Sequence, residues 1–231
     1  MKQKTAIITG ASGNMGQAVV KKFIEQGFKV IGTVLPNDPA VLDFPADKFE
    51  KIVVDLSSET DTEQFIESIH TKYTSIDAAV LTVGGYAAAD IAATKIDDIN
   101  KQFRLNFETA YNVARPVFST MMKSGSGRIF LIGSKPGLSA KNGKGMIAYS
   151  LAKSLIFRLA ELMNEEAKGK NIVTSVVVPS TIDTPQNRKA MPAADFSSWI
   201  TPGQVADVIF FYASDAATAL REPIIKIYNN A

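Results

Sequence analysis

The chain has 231 residues, 46% hydrophobic and 21% charged, with 25 Lys plus Arg against 23 Asp plus Glu and a formal net charge of +2. That length allows one large domain, or one domain with an added flap, and buries roughly 70% of its unfolded surface without a metal or disulfide staple. The absence of cysteine and the single histidine, His70, exclude disulfides, thiolate catalysis, Fe–S clusters, cysteine-based zinc and multi-histidine metal sites, so no metal is expected. The balanced charge argues against a nucleic-acid or membrane-surface partner. The first residues lack the apolar stretch and cleavage site of a secretory leader. No window approaches ~18 uninterrupted apolar residues, and the expectation is a soluble cytoplasmic protein.

Residues 5–9, Thr-Ala-Ile-Ile-Thr, are short, β-branched and apolar and run into Gly10, the pattern of a buried strand. Met15, Val19, Phe23 and Ile24 have helical spacing across 14–25, and Gly27 closes that helix. A second strand covers 29–34, and Pro36, Asp38, Pro39 and Pro45 mark a loop. A third strand covers 51–55. The capping residues of Ser57-Ser-Glu-Thr-Asp open a helix to about Thr71. A fourth strand covers 77–82, one long helix about 96–123, a fifth strand 127–133 and another helix 146–168. The sixth strand covers 172–178, a helix about 204–212 and a seventh strand 224–228, while 179–202 reads as irregular.

Strands alternate with helices and have continuously apolar cores, the signature of a parallel sheet covered on both faces. The fold expected is α/β: a single doubly wound Rossmann-type domain over 1–231, with about seven parallel strands and helices on both faces. Ligands then bind at the carboxyl ends of the strands, and the segment about 180–202 is expected to form a lid.

Between the first strand and first helix stands Thr9-Gly10-Ala11-Ser12-Gly13-Asn14-Met15-Gly16. Glycines at 10, 13 and 16 arise by chance roughly 0.06 times in such a chain. Glycine permits a tight turn and close backbone approach to a pyrophosphate. The helix N-terminus supplies unpaired N–H groups and a partial positive charge. Gly10, Ser12, Gly13, Asn14, Met15 and Gly16 are therefore candidate dinucleotide-binding residues. An acidic residue ending the second strand usually holds the adenosine ribose, but Gly32-Thr33-Val34-Leu35-Pro36-Asn37 offers no carboxylate until Asp38. That removes a repulsion against a 2′-phosphate, although no Arg or Lys lies nearby in sequence. Thr33 and Asn37 could donate hydrogen bonds, and the balance tips slightly from NAD to NADP. Asp55 could accept from the adenine amine or cap the following helix, with equal chemical merit.

Tyr149-Ser-Leu-Ala-Lys153 puts two side chains one helical turn apart on one face. By itself the pattern has about 0.5 chance occurrences; its weight comes from following the fifth strand of a dinucleotide fold. A phenol titrates near ~10, and a neighbouring ammonium lowers that value. Tyr149 would then pass a proton to a carbonyl oxygen as hydride reaches the carbon, with Lys153 also holding the nicotinamide ribose.

Together the Thr9–Gly16 loop, Asp55, Asn106, Ser134, Tyr149, Lys153 and Pro179-Ser-Thr-Ile-Asp-Thr184 resemble, in order, the short-chain dehydrogenase/reductase family over essentially the whole chain. The resemblance implies an NAD(P)-dependent oxidoreductase acting on a small-molecule carbonyl or imine-like substrate. Ser134 matches the serine that bonds the substrate oxygen, at a spacing to Tyr149 two residues longer than the common one, which leaves Ser139 as a weaker rival. Asn106 matches the asparagine of a proton relay to the lysine. Ile182 and Thr184, after Pro179, match contacts to the nicotinamide carboxamide. The resemblance also implies a homodimer or homotetramer through the long helices bearing Asn106 and Tyr149.

Within the family the chain is similar to dihydropteridine reductases in Thr82-Val-Gly84-Gly-Tyr86, in Gly145-Met-Ile-Ala-Tyr149, and over some 17 residues from Asp183 to Trp199. That points to a pterin-like substrate and an aromatic wall of Trp199 and Tyr86, or to a plug of Trp199 and Phe196 closing the lid on the core. The chain departs from those enzymes in carrying Ser134 and in lacking an aspartate near Thr33. Asn14 and Ser180 stand at positions where the family usually has glycine. A rival from another class is a catalytically silent NAD(P)-binding sensor or scaffold, which the combined Ser134, Tyr149 and Lys153 disfavour.

Overall fold

In β1 (Thr5–Thr9) Ile7 turns to one face of a sheet while Ala6 and Ile8 turn to the other, and all three are fully buried. The same alternation runs through β2 (Lys29–Val34), β4 (Ala78–Leu81), β5 (Ser126–Ile132) and β6 (Asn171–Pro179), so apolar layers form on both sides. β3 (Phe49–Val53) and β7 (Ile224–Ile227) close the two edges. The order is β3-β2-β1-β4-β5-β6-β7, every pairing parallel. This is the single α/β domain the sequence predicts. The computed structural model describes residues 3–229. Met1, Lys2, Asn230 and Ala231, which the single-domain reading also takes in, lie outside them.

One face is covered by α2 (Glu59–Lys72), α4 (Thr109–Ser124) and α6 (Ile147–Glu166), through Phe65, Val113, Val117, Met121 and Ile156. The other is covered by α1 (Asn14–Glu25) and α8 (Pro202–Ala213), through Val19, Phe23, Val205 and Ile209. Each such side chain, fully buried, contributes about 1.5–3 kcal/mol. Local chemistry sets the ends. Ser58 Oγ accepts from Asp61 N–H at 3.2 Å, Thr201 and Gln204 form a reciprocal capping box, and Gly125 ends α4 at φ +81°. None of the helices among the described residues is long and apolar enough to cross a membrane.

Three expectations are corrected. β3 lies two residues earlier than expected, because Val30 to Val34 pair with Phe49 to Val53, so Asp55 falls beyond the strand. The helix expected over 96–123 is interrupted. α3 (Ile96–Phe103) passes into a π turn, Arg104–Glu108, before α4. The segment expected to be irregular contains α7 (Pro185–Ala190), started by the Thr184 cap and Pro185, and a 3-10 turn at Phe196–Ser198. A short α5 (Lys135–Leu138) begins directly after Ser134.

The chain works outward from β1 to β3, then crosses to β4 and works the other way. The crevice at the carboxyl ends of β1 and β4 is the ligand position in such sheets. Thr82 ties its two sides together: its N–H donates to Thr9 Oγ1 at 3.0 Å and its hydroxyl to the Thr9 carbonyl at 2.6 Å.

Candidate active site

The glycine loop follows β1 into that crevice. Gly10 is at φ +62°, and a Cβ on Gly16 would come within 2.1 Å of the Gly10 carbonyl oxygen, so side chains are excluded where loop and helix cross. Gly13 is the N-cap of α1 and supplies no side-chain bond, and no acidic residue occupies the first turn. The first N–H groups of α1 are thus left for an anion, which is what a pyrophosphate requires. Met15 packs on the core, and Asn14 Nδ2 donates to Gln186 Oε1 of α7 at 2.8 Å.

Beside the loop lies a cavity of about 410 Å³ lined by Gly10, Ser12, Thr33 to Leu35, Asp38, Val54 to Ser57 and Val83, with Lys101, Arg104, Leu105 and Thr109 from the α3 side. Its apolar walls suit a planar base. Thr33 is buried and its Oγ1 faces Gly10 N–H at 3.4 Å, holding the loop rather than reaching outward. Asn37 forms a turn at φ +63°. Asp55 lines the cavity, and its Oδ1 accepts from Ser57 N–H (2.9 Å) and Ser57 Oγ (2.7 Å), a local turn ahead of α2, whose cap is Ser58 and not Asp55. Asp38, which the sequence places too far from β2 to count, is brought into this cavity. Lys101 and Arg104 also enter it; nothing at their positions in sequence signals this, because it depends on how α3 packs.

A second cavity, about 760 Å³, opens at the ends of β4, β5 and β6. Gly84, Asn106, Ser134, Tyr149, Lys153, Pro179 and Ile182 all line it, so the structure brings the four expected catalytic residues together with three of the expected cofactor contacts. Thr184 does not line it; its Oγ1 accepts from Asn187 N–H at 3.2 Å and caps α7. Ser139 is exposed and outside the cavity, whereas Ser134, two residues past β5, stands at its wall. Ser134 Oγ accepts from Gly137 N–H at 3.1 Å and stands close enough to the Tyr149 hydroxyl to favour its ionised form.

The electrostatics differ from expectation. Burial holds the Tyr149 phenol above its usual range, Ser134 pulling it down in part and Tyr86 adding to the rise. Lys153 does not lower it. The amine of Lys153 is buried and donates to the Ile132 carbonyl at 2.8 Å, and burial brings its pKa down to about 8. The phenol is therefore kept protonated near neutrality.

The Gly84-Gly85 turn is packed between these groups. A Cβ on Gly84 would meet Asn106 Oδ1 at 2.7 Å and Lys153 Nζ at 3.3 Å. Asn106, inside the π turn, clamps the turn from both sides: Oδ1 accepts from Gly85 N–H (3.1 Å), and Nδ2 donates to the Gly85 carbonyl (3.0 Å). Nδ2 also faces Gln102 Oε1 (3.0 Å) and the Gln102 carbonyl (3.2 Å). Buried Gln102 was missed; its only signal is a position one helical turn before Asn106. Tyr86 meets Tyr149 edge to face at 5.3 Å. Trp199 is 7% exposed and packs on Phe196 at 4.8 Å, so it closes the interior and is not part of the cavity wall.

The described residues contain no cluster of three or more His, Asp or Glu side chains suited to a metal. The family model for short chain dehydrogenases matches residues 4–195. The chain is 28% identical over 229 residues to a 3-oxoacyl-acyl-carrier-protein reductase of Buchnera aphidicola, covering 94% of this chain and 92% of that one. It is 26% identical over 190 residues to an acetoacetyl-CoA reductase of an Acinetobacter strain, covering 79% and 76%. In fold it is similar to the aldohexose dehydrogenase of Thermoplasma acidophilum, with a TM-score of 0.83 at 22% identity over 98% of this chain and 92% of that one.

Proposed function

The chain belongs to the short-chain dehydrogenase family, an NAD(P)-dependent oxidoreductase family, and on that premise we propose that Tyr149 is the acid and base of its reaction. A bound nicotinamide would supply or take up the hydride of a carbonyl or imine-like carbon. Ser134 orients the substrate oxygen against the Tyr149 hydroxyl. A phenol held protonated suits reduction, where it must donate. Lys153 holds the nicotinamide ribose and restores the proton. Asn106 acts chiefly by fixing the Gly85 backbone beside Lys153. Gly10 to Gly16 hold the pyrophosphate, with Thr33 and Asp55 on the adenosine side. Gly84, Pro179 and Ile182 flank the nicotinamide, and Thr184 contributes through the end of α7.

The observation that carries this reading is the placing of Ser134 and Tyr149 together on the wall of a cavity that Lys153 also lines. The test is NADH and NADPH oxidation by the wild type and Tyr149→Phe over a panel of 3-oxoacyl thioesters, simple ketones and quinonoid dihydropterin. Loss of at least ~10²-fold in turnover with nucleotide binding intact is expected; equal activity rejects the mechanism. Binding without turnover on any substrate establishes the silent sensor instead.

For the substrate, the names of the relatives favour 3-oxoacyl thioesters. The 17-residue match to dihydropteridine reductases favours a planar pterin, with Tyr86 alone left as the aromatic surface. Segment 180–202 is the lid over either. A second copy of the chain is the proposed cover for the apolar helix face of Phe103, Phe107 and Tyr111, whose rings run in a ladder at 5.2 and 6.0 Å, together with Leu151, Leu155 and Leu162 on α6. Light scattering on the purified chain should return a dimer or tetramer.

A further inference from the structure

We propose that Gln102 is a positioning residue of this site: its side chain fixes the carboxamide of Asn106, and through it the turn that faces Lys153. The inference rests on the reading of Tyr149 and Lys153 as reacting groups and goes beyond it. Gln102 is the sole buried residue of α3, 8% exposed. Packing alone would place an apolar side chain there, because an interior amide costs free energy unless its polar atoms are matched. Gln102 lines neither cavity, so whatever it does for the chemistry it does through a neighbour.

That neighbour is Asn106, 1% exposed and one turn on. Asn106 Nδ2 carries two hydrogens. One serves the Gly85 carbonyl at 3.0 Å, and the other is left for Gln102 Oε1 at 3.0 Å, with the Gln102 carbonyl at 3.2 Å beside it. Gly85 N–H, which donates to Asn106 Oδ1 at 3.1 Å, decides which end of the Asn106 amide is which, and Gln102 must then present its oxygen. The tie spans the place where the backbone leaves the regular helix: Thr109 N–H closes on the Arg104 carbonyl five residues back. The Gly84-Gly85 turn has no side chain with which to anchor itself. A Cβ on Gly85 would meet Leu105 Cδ2 at 2.6 Å, and one on Gly84 would meet Asn106 Oδ1 at 2.7 Å and Lys153 Nζ at 3.3 Å. A small drift of the Asn106 amide therefore moves the turn against the amine of Lys153.

The experiment compares the full-length wild type with Gln102→Met, which keeps the length and loses the acceptor, and with Gln102→Glu, which restores an oxygen. Gln102→Asn, one methylene too short, should behave as Gln102→Met and replaces it if that variant does not fold. Hydrogen exchange read by NMR should quicken roughly tenfold at Gly85 N–H in Gln102→Met, with Ile7 and Val80 in the sheet unchanged. On a panel substrate that the wild type turns over, kcat should fall roughly tenfold, with KM for the nucleotide and affinity for ADP-ribose unchanged. Gln102→Glu should recover most of both losses. Unchanged Gly85 exchange, unchanged kcat, faster exchange throughout the sheet, or Gln102→Glu no better than Gln102→Met would each overturn the inference. Tyr149→Phe, measured alongside, separates the two readings. Full turnover in that variant, or none in the folded wild type, overturns the proposed reaction, while exchange at Gly85 still decides what Gln102 holds.

Discussion

The two cavities along the crevice are built by opposite strategies. The smaller one comes mainly from the first part of the chain, the loop after β1 and the ends of β2 and β3, with Val83 after β4 and the α3 side contributed from afar. The larger one needs β4, the π turn, β5, α6 and the segment after β6 to converge on one point. In the first, Asp55 is tied to backbone two residues on, and Thr33 steadies the glycine loop through Gly10 N–H. In the second, the polar side chains near the reaction end are tied to backbone of other elements, as Asn106 to Gly85 and Lys153 to Ile132. Damage to the first should therefore act on cofactor affinity, and damage to the second on turnover.

The largest effect is expected at Lys153. Lys153→Met should lower turnover by at least ~10²-fold. It should also change the stability profile. With the folded pKa depressed to about 8 against 10.5 unfolded, the unfolded chain binds more protons between those values. Wild-type stability should thus rise with pH across that window, by up to about 3 kcal/mol, the penalty standing in full below it. Urea titrations from neutral to alkaline pH should show that rise in the wild type and a flat profile in the variant.

Next comes Gly16→Ala, whose methyl group would collide with the Gly10 carbonyl oxygen. A cost of about 2–3 kcal/mol and at least a tenfold weaker affinity for ADP-ribose are expected from thermal melts and calorimetry. Gly84→Ala should invert that outcome. Its methyl group would push on Asn106 at the reaction end, costing about 1–2 kcal/mol and most of the turnover, with ADP-ribose affinity unchanged. If both variants lose ADP-ribose binding equally, the division between the two cavities is wrong. The smallest effect is expected at Thr184→Ala, which removes the cap of α7 at about 1 kcal/mol. Limited proteolysis should then cut faster within 180–202, with the melting temperature down by only about 2–4 °C.

The same division explains what could be read in the sequence. β1, α1 and β2 follow the boundaries expected from alternation, helical spacing and Gly27, because each is decided by residues within it. The glycine loop is legible for the same reason. Gln102 and the true role of Asn106 are not, since a π turn leaves no periodic mark and their partner Gly85 is about twenty residues away. The orientation of the Lys153 amine was hidden on a similar point: spacing brings Lys153 near Tyr149, but burial and a backbone carbonyl decide where its amine points. Trp199 reads equally well as wall or plug until its neighbours are known.

A five-residue turn is an ordinary helix carrying one surplus residue. Excising Asn106 would accordingly let α3 and α4 join in a regular ladder, leaving a sound scaffold with nothing gripping Gly85. At that place it is the grip on Gly85, and not the helix, that keeps the surplus residue.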